Sequence, residues 1–328
     1  MNNIDKSLHR YQSGMSLVEL MVAMLIGLFL TAGVFTMFSM SSSNVTTTSQ
    51  FNQLQENGRI ALAIMERDIS QLGFMGDITG TDFIVGNNTQ VLSAAVPNDC
   101  VGDGVNNATL PQNEPSHFRR LWGYEQGASG SVPFSCLTDV VDGTDVLQIK
   151  RLIGPPTTTP TNASRHYVAT TANEAIFFTG NQSTPTLENG RFWEYQHHIY
   201  YIRNDGDIPV LRRRVLSVTN GMKNEEQLVE GIENMRILYG FDNDGDSTPD
   251  RYVPASEVTT LMWDNELFQR LVAVKVFLLV RTIQADRTYT NETQYELGDK
   301  TILAPKDNFR RKVMSTTIML ENPVLIRS

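Results

Sequence analysis

Between Leu17 and Phe38 the chain is apolar, and Glu19 is its only charged side chain. A run of that length meets the roughly 20 residues that a helix needs to cross a bilayer. The chain therefore opens with a membrane-length helix that tethers whatever follows. A charge at the centre of a bilayer helix costs at least about 2.5–3.5 kcal/mol, less near an end, so a carboxylate there marks a function and calls for a cationic partner. Ser16 and Glu19 also have the Ser-x-x-Glu spacing of a helix capping box. A carboxylate in the first turn suits the helix dipole as well. Capping is worth only about 1 kcal/mol, too little to account for Glu19 alone.

The residues before the run are polar and weakly basic, with Asp5, Lys6, His9 and Arg10. A secretory signal would be cut beyond its apolar region, after small residues of the A-x-A kind. Met37-Phe38-Ser39-Met40 offers no such site, whereas Gly14 lies on the near side of the run. Cleavage at Gly14 would keep the helix; an uncleaved membrane anchor is the alternative. Gly14 followed by Met15-Ser16-Leu17-Val18-Glu19-Leu20 resembles the signal of type IV prepilins and type II secretion pseudopilins. The resemblance implies cleavage after Gly14 by a prepilin peptidase, methylation of Met15 and an assembly role for Glu19. That family usually has phenylalanine where this chain has Met15.

Past the polar stretch Ser41–Ser49, apolar residues recur at Phe51, Leu54, Ala61, Leu62, Met65, Ile69 and Leu72. These spacings of three and four define one face of an amphipathic helix. A continuous helix from Met15 to Leu72 would measure on the order of 85 Å. Val45-Thr46-Thr47-Thr48 and Gly58 weaken it and predict a bend or a melted section. From Thr144 onward strand patterns dominate: Thr144–Leu152, Glu174–Thr179, Trp193–Arg203, Pro209–Val218, Ile232–Phe241, Arg270–Thr282 and Arg310–Leu320. Asn204-Asp205-Gly206-Asp207 reads as a hairpin turn, and Pro155 to Pro160 as a loop or insertion. One long helix followed by many strands predicts an α+β fold with a mainly antiparallel sheet and loop insertions.

Further segments narrow the resemblance. Cys136-Leu137-Thr138-Asp139, Gly143-Thr144-Asp145-Val146-Leu147, Tyr200-Tyr201-Ile202-Arg203, Val229-Glu230-Gly231-Ile232-Glu233, Tyr239-Gly240-Phe241-Asp242 and Phe309-Arg310-Arg311-Lys312-Val313 occur in that order. Together they resemble the PilW minor pilins, a resemblance that is weakest between about Gly76 and Pro133. It implies a pilin-like architecture: leader 1–14, transmembrane and amphipathic helix 15–72, and a periplasmic or extracellular domain 73–328. It also implies a priming role in type IV pilus assembly and a place in a tip complex with other minor pilins. The expected partners are the major pilin, the prepilin peptidase, the inner-membrane assembly platform and a tip adhesin. The alternatives are a J-type minor pseudopilin of type II secretion and a membrane-anchored calcium-dependent adhesion module that never polymerises.

Cys100 and Cys136 are the only cysteines. With the helix inserted from the cytoplasmic side they lie in an oxidising compartment, where paired cysteines form a disulfide. Closing a loop of about 35 residues stabilises by up to roughly 3–4 kcal/mol on the chain-entropy model; two free buried thiols are the alternative. Asp242, Asp244, Asp246 and Asp250 crowd a nine-residue segment around Gly245. Alternating oxygen ligands around a glycine turn suit calcium, with the Thr248 carbonyl as a backbone ligand. A solvated acidic turn is the competing reading. Asp99, Asp103 and Asn106 form a weaker oxygen cluster. The net charge of -9 gives no support to a nucleic-acid grip. Arg212-Arg213-Arg214 reads as a solvated or salt-bridged strand face. No Walker loop, G-x-S-x-G elbow or H-E-x-x-H occurs, and His197-His198 on a strand would point to opposite faces. The chain reads as an assembly protein and not as an enzyme.

Overall fold

The computed structural model describes residues 14–113, 115–264, 266 and 269–322; residues 1–13 of the expected leader lie outside them. Helix α1 (Leu17–Ser70) runs without interruption through Val45–Thr48 and Gly58, so no melted section occurs there. At Gly58 the reason is a close approach. A Cβ there would collide with Met314 Sδ and lie 3.0 Å from Val280, so glycine lets the helix backbone sit directly on the strands. The chain divides into two compact units, with the division between Phe51 and Asn52.

In the first unit, the helix exposes apolar side chains all round, among them Leu17, Leu25, Phe29, Phe35 and Phe38. Its hydroxyls turn back onto their own helix: Thr31 Oγ1 donates to Gly27 O at 2.9 Å, and Thr36 Oγ1 donates to Ala32 O. Such back-bonding removes the desolvation cost of those polar groups in an apolar medium.

The second unit carries fourteen described strands. They are β1 (Thr89–Val91), β2 (Leu121–Glu125), β3 (Asp145–Thr157), β4 (His166–Thr170), β5 (Ala175–Thr179), β6 (Arg191–Asp205), β7 (Ile208–Ser217), β8 (Gly221–Glu230), β9 (Ile232–Asp242), β10 (Arg251–Pro254), β11 (Arg270–Arg281), β12 (Tyr295–Leu297), β13 (Lys300–Ile302) and β14 (Arg311–Met319). A one-turn helix, α2 (Thr260–Trp263), is capped by the Thr259 side chain. Eight strands form the larger sheet, in the order β1-β5-β4-β6-β3-β2, with β7 on β6 and β8 beyond it. Four form the second sheet, β10-β9-β11-β14, and β12 with β13 makes a small ribbon. Apart from the parallel pair β1–β5, the strands pair antiparallel.

Of the apolar face read from the sequence, Leu54, Ala61, Leu62, Met65 and Ile69, with Leu72 just past the helix end, join one core with β3, β6, β9 and β11, while Phe51 is only half-buried. Val272, Val274, Val276, Leu278 and Val280 of β11 are all buried. The hairpin between β6 and β7 also forms, with Asp205 opposite Ile208 and Gly206 in the left-handed region. Pro155 and Pro156 differ from expectation, since β3 extends through Thr157 with a register irregularity after Ile153. Strand β8 (GMKNEEQLVE) has too many charges for an alternating pattern. It forms because its carboxylates answer the arginines of β7: Arg213 meets Glu226 at 2.6 Å and Arg212 meets Glu225 at 3.4 Å.

Candidate functional site

At the start of α1, Glu19 Oε2 accepts from the Ser16 amide at 3.0 Å, and Ser16 Oγ accepts from the Val18 amide at 3.3 Å. The capping reading is therefore realised within the chain. Gly14, Met15 and Glu19 are all exposed. The helix behind them is long and apolar enough to cross a membrane, and among the described residues its most apolar stretch is exposed. A helix apolar on every side needs lipid or other helices around it.

The acidic loop joins β9 to β10. Asp242, at the end of β9, is buried, and its carboxylate accepts from the amides of Gly245 at 2.6 Å, Ser247 at 2.9 Å and Asp244 at 3.1 Å. Loss of solvent raises its pKa, but those amides and the Arg270 charge outweigh this and hold it below the usual carboxylate range. Gly245 and Ser247 occupy the left-handed region that so tight a turn requires. One carboxylate oxygen each from Asp242, Asp244 and Asp250 lie within 4.8 Å of one another, so the three could hold one metal ion. Asp246 is not in that group; its Oδ1 accepts from the Thr248 amide at 2.7 Å and from the Thr248 hydroxyl.

Cys100 and Cys136 are joined by a disulfide with Cα atoms 5.0 Å apart. The weaker oxygen cluster nearby does not converge. Asp99 accepts from the Thr109 amide and hydroxyl, Asp103 pairs with Arg119 at 3.2 Å, and Asn106 donates to Asp264 at 3.1 Å.

Sequence reasoning missed the polar cluster that fastens α1 to the larger sheet. Asp68 is 4% exposed on the buried helix face. It meets Arg151 of β3 and His198 of β6 at 2.6 Å each, accepts from Tyr200, and has Arg213 of β7 at 3.6 Å. Burial raises the Asp68 pKa, yet the bonds and charges of His198, Tyr200 and Arg151 overcome it and hold the carboxyl far below its ordinary value. The signal was a lone aspartate between Met65 and Ile69 on an otherwise apolar stripe. Asp68, Arg151, His198 and Arg213 also line a cleft of about 650 Å³. Ion pairs within it join Arg165 to Glu194 and Arg213 to Glu226. Within the arginine run on β7, Arg212 and Arg213 are salt-bridged and Arg214 donates to Lys223 O.

His197 does point away from His198. It is buried with Nδ1 2.9 Å from Thr109 Oγ1, near Lys150. Lys150 is buried, donates to Ala108 O and lies 4.5 Å from the Phe118 ring centre; desolvation lowers its pKa to about 7.

Two family models match this chain. Residues 199–322, from β6 through the whole second sheet, match the type IV pilus-assembly protein W family. Residues 9–35 match the prokaryotic N-terminal methylation motif. The chain carries a PilW-family pilus-assembly domain behind a prepilin-type methylation motif. No curated protein and no solved structure matches it. The PilW-family match covers β9, β11 and β14, on which the second half of α1 packs, and it includes the acidic loop. Asp68 and Lys150 lie outside the residues that match the family.

Proposed function

We propose that this chain is a minor pilin that primes type IV pilus assembly and takes its place in a tip or initiation complex. The observation that carries the proposal is the bare apolar helix from Leu17 to Met40 in one chain with a PilW-family domain and a methylation motif. Such a helix is stable in lipid, and it leaves lipid only when neighbouring apolar helices cover it. In this reading residues 1–14 are the leader, 15–72 the helix and 73–328 the periplasmic domain. A prepilin peptidase cuts after Gly14, and Met15 becomes the methylated first residue. Glu19 then exchanges its local bond to Ser16 for the terminal amine of a neighbouring subunit, an ion pair strengthened by the low dielectric of a filament core. The partners are other minor pilins, the major pilin, the inner-membrane assembly platform and a tip adhesin. The protein resides first in the bacterial inner membrane and then in the filament.

The acidic loop fits calcium in this scheme. Its donors are all oxygen, as a hard cation requires, and backbone carbonyls, Asp246 and water can complete six to eight ligands. The assembly role is tested by complementing a deletion strain with wild type or Glu19→Ala. The variant should reach the membrane at the wild-type level yet restore few surface filaments. Full piliation by Glu19→Ala would overturn the pairing role.

A further inference from the structure

The larger sheet splits at β6. Strand β4 pairs with residues 191–195 of β6 and β7 pairs with residues 198–205, while β3 runs along the opposite side over residues 192–200. Gln196 and His197 are therefore left, among the described residues, without a strand on the β4 and β7 side. The Val218 amide donates to Ser164 O at 3.0 Å and ties the two diverging strands together beyond the gap. The cleft of about 650 Å³ is lined from both sides of this split, and Ile64, Arg67 and Gln71 of α1 complete its wall.

Four arginines and three carboxylates line the cleft. Arg151 is matched by Asp68, Arg165 by Glu194 and Arg213 by Glu226. Arg67 is exposed, and among the described residues it has no ion-pair partner. Burial lowers the His166 pKa to about 4 and holds His197 well below its ordinary value, so both rings are neutral. On a chain of net charge -9, the exposed charges of this cleft thus leave one guanidinium over. The rest of the wall sets donors beside acceptors. Gln196 spends one N–H on Glu194 at 3.2 Å, and among the described residues its carbonyl makes no hydrogen bond. The two exposed ion pairs hold guanidinium N–H groups next to carboxylate oxygens in the same way. A hydroxyl both donates and accepts, so a polyol answers such a wall without adding charge. Ile64, Ile153 and Leu228 contribute half-buried apolar surface.

We propose that this cleft binds a carboxylated sugar of the uronic-acid class. Arg67 takes the carboxylate in a charge-assisted fork. The mixed wall around Gln196 takes the ring hydroxyls, and the apolar side chains back the ring C–H groups. Other ligand classes match the cleft less well. A phosphate or a small dicarboxylate would face Glu194 and Glu226 as well as Arg67. A neutral sugar would leave Arg67 unanswered. A nucleotide base calls for an open aromatic platform, whereas the ring-bearing residues of the lining, Tyr195, His166, His197 and His198, are all buried.

The test uses the full-length chain in detergent micelles. Ligand-observed NMR titrations with glucuronate, glucose, acetate and inorganic phosphate should give glucuronate a Kd about tenfold below that of each of the others, the scale of one hydrogen-bonded charge. Arg67→Gln should bind glucuronate no better than glucose. Gln196→Leu should weaken glucuronate and glucose alike, by about threefold or more. A wild-type melting temperature and an intact Cys100–Cys136 bridge report folding in both variants. Glucose, acetate or phosphate binding as tightly as glucuronate overturns the proposal. So does glucuronate failing to bind at tens of millimolar, or binding to a folded Arg67→Gln or Gln196→Leu chain with the wild-type Kd.

Discussion

Asp68 is the residue on which the fastening of α1 to the larger sheet converges, because it meets β3, β6 and β7 at once. Removing one member of a buried ion cluster leaves the others uncompensated, at a cost of about 3–5 kcal/mol. Asp68→Ala should destabilise the full chain in detergent by that order in chemical unfolding, whereas Asp68→Asn, which keeps some bonds, should cost less. The pH dependence has a fixed sign. The native pKa lies below the unfolded one, so this stability is complete above the unfolded value of about 3.9 and is lost as pH falls further toward the native value. Wild type should therefore lose stability more steeply than Asp68→Asn below about pH 4. Parallel acid profiles would mean that Asp68 is not the anchor. Gly58 is a second close contact, since a Cβ there would force the Met314 side chain to shift and would crowd Val280. Gly58→Leu should lower stability by about 1–3 kcal/mol through overpacking, despite leucine's better helix propensity. A melting temperature at or above wild type would show that the contact can open.

Among the elements, the helix and the longest strands were legible because their patterns are local. The buried stripe of α1 from Leu54 to Ile69 and the valine alternation of β11 can be read directly from period and burial. Strand β8 was illegible because its stabilising partners are the arginines of β7, and pairing across strands leaves no periodic trace. The continuity of α1 at Gly58 could not be seen either, since the cause is Met314, far away in sequence. For the acidic loop, the sequence named the residues and the structure selects Asp242, Asp244 and Asp250 as a close group. Their mutual repulsion, with Asp242 already ordered by three amides, leaves a preformed turn that a cation would neutralise. Calcium binding to the folded state alone adds about 2.7 kcal/mol at a hundredfold excess over Kd. Thermal unfolding should shift upward with calcium, return with chelator, and fail to shift in Asp242→Asn with Asp244→Ala. Identical melting with calcium or chelator would leave a solvated turn.

For the molecule as a whole, the two ends of the chain carry different information. The N-terminal signal is compact: Gly14, Glu19 and an apolar helix of membrane-spanning length were all visible in the sequence. The PilW-family domain is dispersed over β6 to β14, and its short segments gain meaning only from their order. The Asp68 cluster, assembled from α1, β3, β6 and β7, had no sequence signature beyond one aspartate on an apolar stripe. Assembly as a minor pilin requires both ends: a helix freed of its polar leader and a domain that other subunits recognise. That requirement is tested most directly by mass analysis of filaments sheared from cells and freed of membrane. The account predicts this chain in the filament fraction at low abundance, beginning at Met15 with one added methyl group. A chain that retains Met1, or that stays entirely in the membrane while filaments are shed, would contradict it.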